Sequence, residues 1–97
     1  MKTLENENLK ELTEKTLDLI AKTSVELGHR ADAKTMASLA KILAEDLQKE
    51  NRFRRMYFNQ IQDSFYQGVR FCSFVPFLNI RTFYRWIIEH KLKISDA

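Results

Sequence analysis

The sequence predicts an all-α fold, a small orthogonal bundle of four main helices in a single domain spanning residues 1–97. Apolar residues recur at three- and four-residue steps along most of the chain, which is the pattern of one buried helix face. Two glycines and one proline in 97 residues provide few of the residues on which turns and hairpins depend. We therefore expect an N-terminal antiparallel helix pair, a shorter helix and a C-terminal aromatic helix around one modest core.

The first predicted helix covers residues 6–27, and Gly28 is well placed to end it in the left-handed conformation. Asp32 can cap a second helix of about 33–50. The link between the two helices has only five residues, GHRAD, which favours an antiparallel hairpin. The apolar faces of the two helices comprise Leu9, Leu12, Thr16, Leu17, Leu19, Ile20, Thr23, Val25, Leu27, Met36, Leu39, Ala40, Leu43 and Leu47.

A third, shorter helix is predicted over residues 59–68. Asn59 and Gln62 have the spacing of a capping box at its start, and Gly68 is expected to end it. Residues 69–78, VRFCSFVPFL, are predicted to be an apolar connector that packs under the helices. Pro76 argues against a central strand there.

The last predicted helix covers residues 79–94, with Asn79 as its cap. Its outer side carries Arg81, Arg85 and Glu89, whereas its inner side is aromatic and aliphatic. The predicted core of the whole domain comprises Leu12, Leu19, Leu39, Leu43, Leu47, Ile61, Phe65, Phe83 and Ile87.

Charge and aromatic residues divide the chain into two unlike halves. Residues 1–48 hold seven Lys/Arg against nine Asp/Glu, a net charge of −2. Residues 49–97 hold nine against four, a net charge of +5, and all eleven aromatic residues lie between Phe53 and Trp86. A basic and aromatic second half indicates an anionic partner.

The sequence offers no residues for catalysis or metal binding, so we expect neither an enzyme nor a cofactor. His29 and His90 are far apart, and Cys72 has no partner at ligand spacing. The apolar neighbours of Cys72 make it an inert thiol rather than a nucleophile. No apolar run reaches the roughly 20 residues that span a bilayer, and the N-terminus is too polar for a signal peptide. We expect a cytoplasmic protein.

Nucleic-acid binding is the main functional hypothesis. Arginines interleaved with aromatic residues suit phosphate contacts and base stacking. The candidate contact residues are Arg52, Arg54, Arg55, Arg70, Arg81 and Arg85. Two alternatives remain open at this stage. The aromatic residues at helical spacing are expected mainly in the core, and the arginines could instead form a solvated rim or bind a protein.

The sequence does not fit the residue pattern of a standard helix-turn-helix. With Gly68 at the turn, Asp63 would occupy a buried position and Pro76 would lie inside the recognition helix. A looser arrangement remains open, in which the last helix enters the groove and Arg81 and Arg85 face DNA.

The segments QIQDSFYQGVR and LNIRTFYRWI, separated by a short aromatic connector, resemble a pattern in small proteins of phages and mobile elements of gut bacteria. The preceding LAKILAEDL matches the amphipathic helix of that pattern, so the resemblance covers about residues 36–90. The helix order is also similar to the helical domain of phage helicase loader–inhibitor proteins. This resemblance implies a replication accessory role with a replicative helicase as partner, and it transfers no site residue.

Two functions are therefore carried forward. The first is a non-enzymatic phage or mobile-element accessory protein of the host cytoplasm that contacts DNA or RNA through its second half. The alternative is a protein-interaction module that binds a helicase or a virion assembly. If the partner is a virion assembly, we expect the protein to be virion-associated. Pairing of the first helix with a second copy is a further alternative.

Overall fold

Four α-helices form the protein in a computed structural model that describes residues 2–72 and 76–95. The helices are α1 (Leu9–Leu27), α2 (Ala33–Lys49), α3 (Phe58–Phe71) and α4 (Ile80–Ser95). A short 3₁₀ turn, Leu4–Asn6, precedes them. The described residues contain no strand beyond one isolated bridge, so the predicted all-α fold is confirmed.

The hairpin of α1 and α2 forms where its caps predict it. Asn8 accepts a hydrogen bond from the Glu11 amide at the start of α1, and Gly28 ends the helix with φ of 72°. Asp32 caps α2 by accepting from the Thr35 amide at 2.6 Å, and this bond holds the pKa of Asp32 below its usual range. Both caps predicted for this hairpin, Gly28 and Asp32, are therefore confirmed.

The N-terminal residues join this hairpin to the segment between α2 and α3. The Leu4 amide donates to the Met56 carbonyl at 2.8 Å, and the Glu5 amide donates to the Arg54 carbonyl at 2.9 Å. The Gln48 side chain, at the end of α2, donates to the carbonyl of Glu7, just before α1. This bond places the start of α1 beside the end of α2, as an antiparallel pair requires.

The predicted limits of the third helix were wrong at both ends. The helix begins at Phe58, and the side chain that reaches back is Gln60, which accepts from the Tyr57 amide at 2.9 Å. Gly68 lies inside α3 rather than ending it. A Cβ atom at Gly68 would lie 2.2 Å from the indole of Trp86, so the glycine is needed for the close approach of α4.

The core follows the predicted helix faces with three corrections. Seven of the nine predicted core residues are buried, while Leu19 and Leu39 are half-buried against the same cluster. Val25 and Leu9 do not belong to the buried face of α1, because they are 79% and 42% exposed. Leu4, Phe53 and Trp86 are core residues that the helix patterns did not predict. Leu4 and Phe53 lie outside the predicted helix faces, and Trp86 lies at the edge of one.

Candidate nucleic-acid interface

Four of the six candidate arginines form ion pairs with glutamates. Two of these pairs link the second half of the chain to the first: Arg54 Nη1 lies 3.0 Å from Glu5 Oε2, and Arg70 Nη2 lies 2.5 Å from Glu26 Oε2. Two are local, joining Arg52 to Glu50 at 2.9 Å and Arg85 to Glu89 at 3.6 Å. The arginines are thus spread over several parts of the molecule and do not form one cluster.

Arg54 and Arg70 make specific contacts within the protein, although about a third of each side chain stays exposed. Arg54 is half-buried, and its Nε atom has no hydrogen-bond partner among the described residues. The guanidinium of Arg70 lies 3.8 Å from the ring centroid of Tyr66 as well as on Glu26. Contact with a phosphate would compete with these interactions, as it would with the Arg52–Glu50 and Arg85–Glu89 pairs.

Arg52 lies beside α4 and extends its basic side. Its guanidinium lies 5.6 Å from the Phe53 ring centroid and 5.9 Å from that of Tyr84, and its carbonyl accepts from Lys91 Nζ at 2.5 Å. The Tyr84 hydroxyl donates to Asp46 Oδ2 at 2.6 Å. Burial, together with this bond, raises the pKa of Tyr84 well above its ordinary value.

The side of α4 that faces away from the core carries Arg81 and Arg85, and Lys91 and Lys93 lie on the two flanks of the helix. We call this group, with the adjoining Arg52, the α4 basic surface; it comprises Arg52, Arg81, Arg85, Lys91 and Lys93. Glu50 and Glu89 reduce its net charge to +3. Arg81 belongs to none of the ion pairs found among the described residues, and the same is true of Arg55 on the α2–α3 segment.

Most of the aromatic residues pack in or against the core, as expected. Phe65 stacks on Phe83 with ring centroids 4.9 Å apart, and its ring meets the edge of Trp86 at 5.4 Å. The apolar connector was predicted to pack under the helices, but two of its phenylalanines do not: Phe71 is 69% exposed and Phe77 is 60% exposed. Residues 73–75 of the predicted connector lie outside the described part of the chain.

A small, partly open pocket lies between α3 and α4 beside Gly68. Its volume of about 20 Å³ is enough for one water molecule. Trp86 Nε1 and His90 Nδ1, whose residues line it, have no hydrogen-bond partner among the described residues. A water there could accept from the indole and donate to the imidazole.

A groove of about 920 Å³ between α1 and α3 is the feature that the sequence patterns missed. Its walls carry carboxylates, lysines and amides, and its floor includes Leu19, Phe58 and Phe65. In the sequence these polar residues look like solvated helix faces. Only the placement of α3 against α1 shows that the two faces line one cleft.

The described residues contain no group of three or more His, Cys, Asp or Glu side chains that could hold a metal ion. In the same part of the chain, no helix is both long and apolar enough to cross a membrane. Comparison of the chain with known protein families, with curated proteins and with solved structures found no match.

Proposed function

We propose that the protein is a non-enzymatic accessory protein that contacts nucleic-acid phosphates through the α4 basic surface. The observation that carries this proposal is the division of α4 into two sides. Phe83, Trp86 and Ile87 are buried and anchor the helix in the core. The opposite side carries Arg81 and Arg85, the second of which also pairs with Glu89, and arginine in particular binds phosphate through two parallel hydrogen bonds.

The expected binding is weak and strongly dependent on salt. A net charge of +3 corresponds to about three phosphates neutralised, so the slope of log K against log salt is about −2 to −3. Non-specific binding of this kind has dissociation constants of roughly 10⁻⁴ to 10⁻⁶ M. The exposed Phe71 and Phe77, at the end of α3 and just before α4, offer unpaired bases a stacking partner.

A charge-matched comparison tests the proposal. We expect the triple variant Arg81→Ala, Arg85→Ala, Lys93→Ala to lose at least tenfold in affinity for single- and double-stranded DNA at 50 mM salt. The control removes three exposed cations of α1 and α2 (Lys10→Ala, Lys34→Ala, Lys41→Ala) and should change affinity far less. Fluorescence anisotropy at 50 and 200 mM salt measures both variants. Equal losses in the two variants, or no salt-dependent binding at all, would contradict the proposal.

The proposed setting is replication of a phage or mobile element in a bacterial host cell. This part of the proposal depends only on the resemblance of residues 36–90 to phage and mobile-element proteins. A replicative helicase as partner, a place in a virion assembly and pairing of α1 with a second copy all stay predictions. Co-purification with the host helicase after nuclease treatment would test the first of these, and sedimentation would test the last.

A further inference from the structure

The α1–α3 groove has the shape and lining of a site for a helical segment of a partner protein. Six residues of α1 line it between Glu11 and Glu26, which corresponds to a wall of about 22 Å at 1.5 Å per residue. The facing wall comes from α3, where Asn59, Gln62 and Tyr66 present two amides and an exposed ring. Apolar floor and polar walls are the arrangement in which amphipathic helices dock.

Ion pairs bound the groove near its two ends. At one end Lys15 Nζ lies 2.6 Å from Glu7 and 5.5 Å from the Phe58 ring centroid. Toward the other end Arg70 pairs with Glu26. These contacts engage one lysine and one arginine with carboxylates of the protein itself. The central walls, with Asp18 and Asp63, are left for a partner.

The charge of the groove is opposite to that of the whole protein. Its lining contains five carboxylates and three lysines, and the pairing of Glu26 with Arg70 leaves a net charge of −1, whereas the chain as a whole carries +3. Its carboxylates are Glu7, Glu11, Asp18, Glu26 and Asp63. Asp18 and Asp63 stand on α1 and α3 respectively, and neither belongs to an ion pair among the described residues.

We propose that this groove binds a cationic amphipathic helix of a partner protein. Its apolar side would cover Leu19 and the exposed ring of Tyr66, and its lysine or arginine side chains would meet Asp18 and Asp63. Charge complementarity selects this occupant, because an anionic ligand would face a net negative lining.

The groove and the α4 basic surface lie on different sides of the molecule. Gly68 packs on Trp86 of α4, while Tyr66 lines the groove. At 100° per residue the two positions are roughly 160° apart around α3. A partner in the groove therefore leaves α4 accessible, and this inference does not depend on nucleic-acid binding.

A model peptide provides the test. The probe is a fluorescent helical peptide of about 14 residues made of leucine and lysine, and its counterpart carries glutamate at every lysine position. We expect the lysine peptide to bind with a dissociation constant on the order of 10 to 100 µM and the glutamate peptide not to bind. Amide chemical-shift changes in the full-length protein should concentrate at Asp18, Leu19, Gln62 and Tyr66.

Matched variants separate this site from non-specific attraction. Asp18→Asn with Asp63→Asn should weaken lysine-peptide binding about fivefold, whereas the control Glu14→Gln with Glu45→Gln, outside the groove, should leave it unchanged. Lys22→Gln removes a groove cation and should tighten binding about two- to threefold. Equal effects of the two double variants, or shift changes away from the groove, would overturn the inference. Loss of DNA binding in the α4 variant would not affect it.

Discussion

The α4 basic surface and the α1–α3 groove differ in composition and in the sign of their charge. The first lies on the outward side and flanks of α4 and has a net charge of +3, whereas the second is a concave space between two helices with a net charge of −1. Neither coincides with a half of the sequence, because Glu5–Arg54 and Glu26–Arg70 neutralise charge across the halves. Charge asymmetry along a chain therefore indicates a partner only after its internal ion pairs are subtracted.

The largest expected effect comes from the contact that holds α4 in place. Gly68→Ala would put a Cβ atom 2.2 Å from Trp86 and should lower the free energy of unfolding by about 3 kcal/mol. For a chain of this size, that corresponds to a Tm decrease of about 12 °C or more. Thermal unfolding by circular dichroism measures it, and displaced α4 residues should weaken DNA binding too.

Gly28→Ala is the control for this variant. Gly28 has φ of 72° but no heavy atom near the position of an added Cβ, so only backbone strain of about 1 kcal/mol is expected. If the two alanine variants were equally stable, steric contact with Trp86 would not be what requires glycine at position 68.

Reversing charge on one surface at a time should separate the two binding activities. Arg81→Glu with Arg85→Glu should lower DNA affinity more than tenfold and leave binding of the lysine peptide unchanged. Asp18→Lys with Asp63→Lys should do the reverse, abolishing peptide binding without weakening that of DNA. Anisotropy titrations of both variants with both probes test this. Parallel changes with both probes would mean that net charge alone governs binding.

Two neighbouring arginines should differ in role. Arg54→Ala breaks an ion pair with Glu5 that is about one-third exposed and should lower the free energy of unfolding by about 1 kcal/mol. Arg55→Ala removes an exposed side chain outside the ion pairs found, so its effect should stay within about 0.5 kcal/mol. Urea unfolding measures both. Equal destabilisation would show that the Arg54–Glu5 pair does not secure the N-terminal residues.

The smallest expected effect is a change in stability at alkaline pH. Because the pKa of Tyr84 is raised, the folded state keeps this proton more tightly than the unfolded chain does. The resulting stabilisation is complete below about pH 10, the pKa of an unperturbed tyrosine, and is lost as the pH rises above it. Tyr84→Phe should cost about 0.5–1 kcal/mol at pH 7. The difference in Tm between wild type and variant should then shrink from pH 9 to pH 11.

Local signals in the sequence predicted most of the fold. Gly28, Asp32 and Asn79 each act within three or four residues of the helix end that they cap, so a short stretch of sequence contains the whole interaction. The buried faces of α1, α2 and α4 follow from helical spacing for the same reason. The outward placement of Arg81 and Arg85 was predictable in this way too.

Interactions between distant residues were not predictable from such signals. Gly68 was predicted to end a helix because glycine commonly does so. Its actual role could not be recognised locally, since Trp86, the residue that requires it, lies eighteen positions later and on another helix. The pairing of Arg54 with Glu5 joins residues 49 positions apart, and nothing near either residue indicates its partner. The α1–α3 groove depends on how two helices sit relative to each other, which the pattern of neither helix contains.

The contact between Gly68 and Trp86 also gives the protein an internal spectroscopic reporter. Trp86 is the only tryptophan of the sequence, and its indole is 1% exposed between α3 and α4. Its fluorescence therefore reports on this interface without any label. Separation of α4 from α3 would expose the indole to water and shift its emission to longer wavelength, even while α1 and α2 kept their helical circular dichroism signal. Local opening of the aromatic half can thus be distinguished from global unfolding in one unmodified sample.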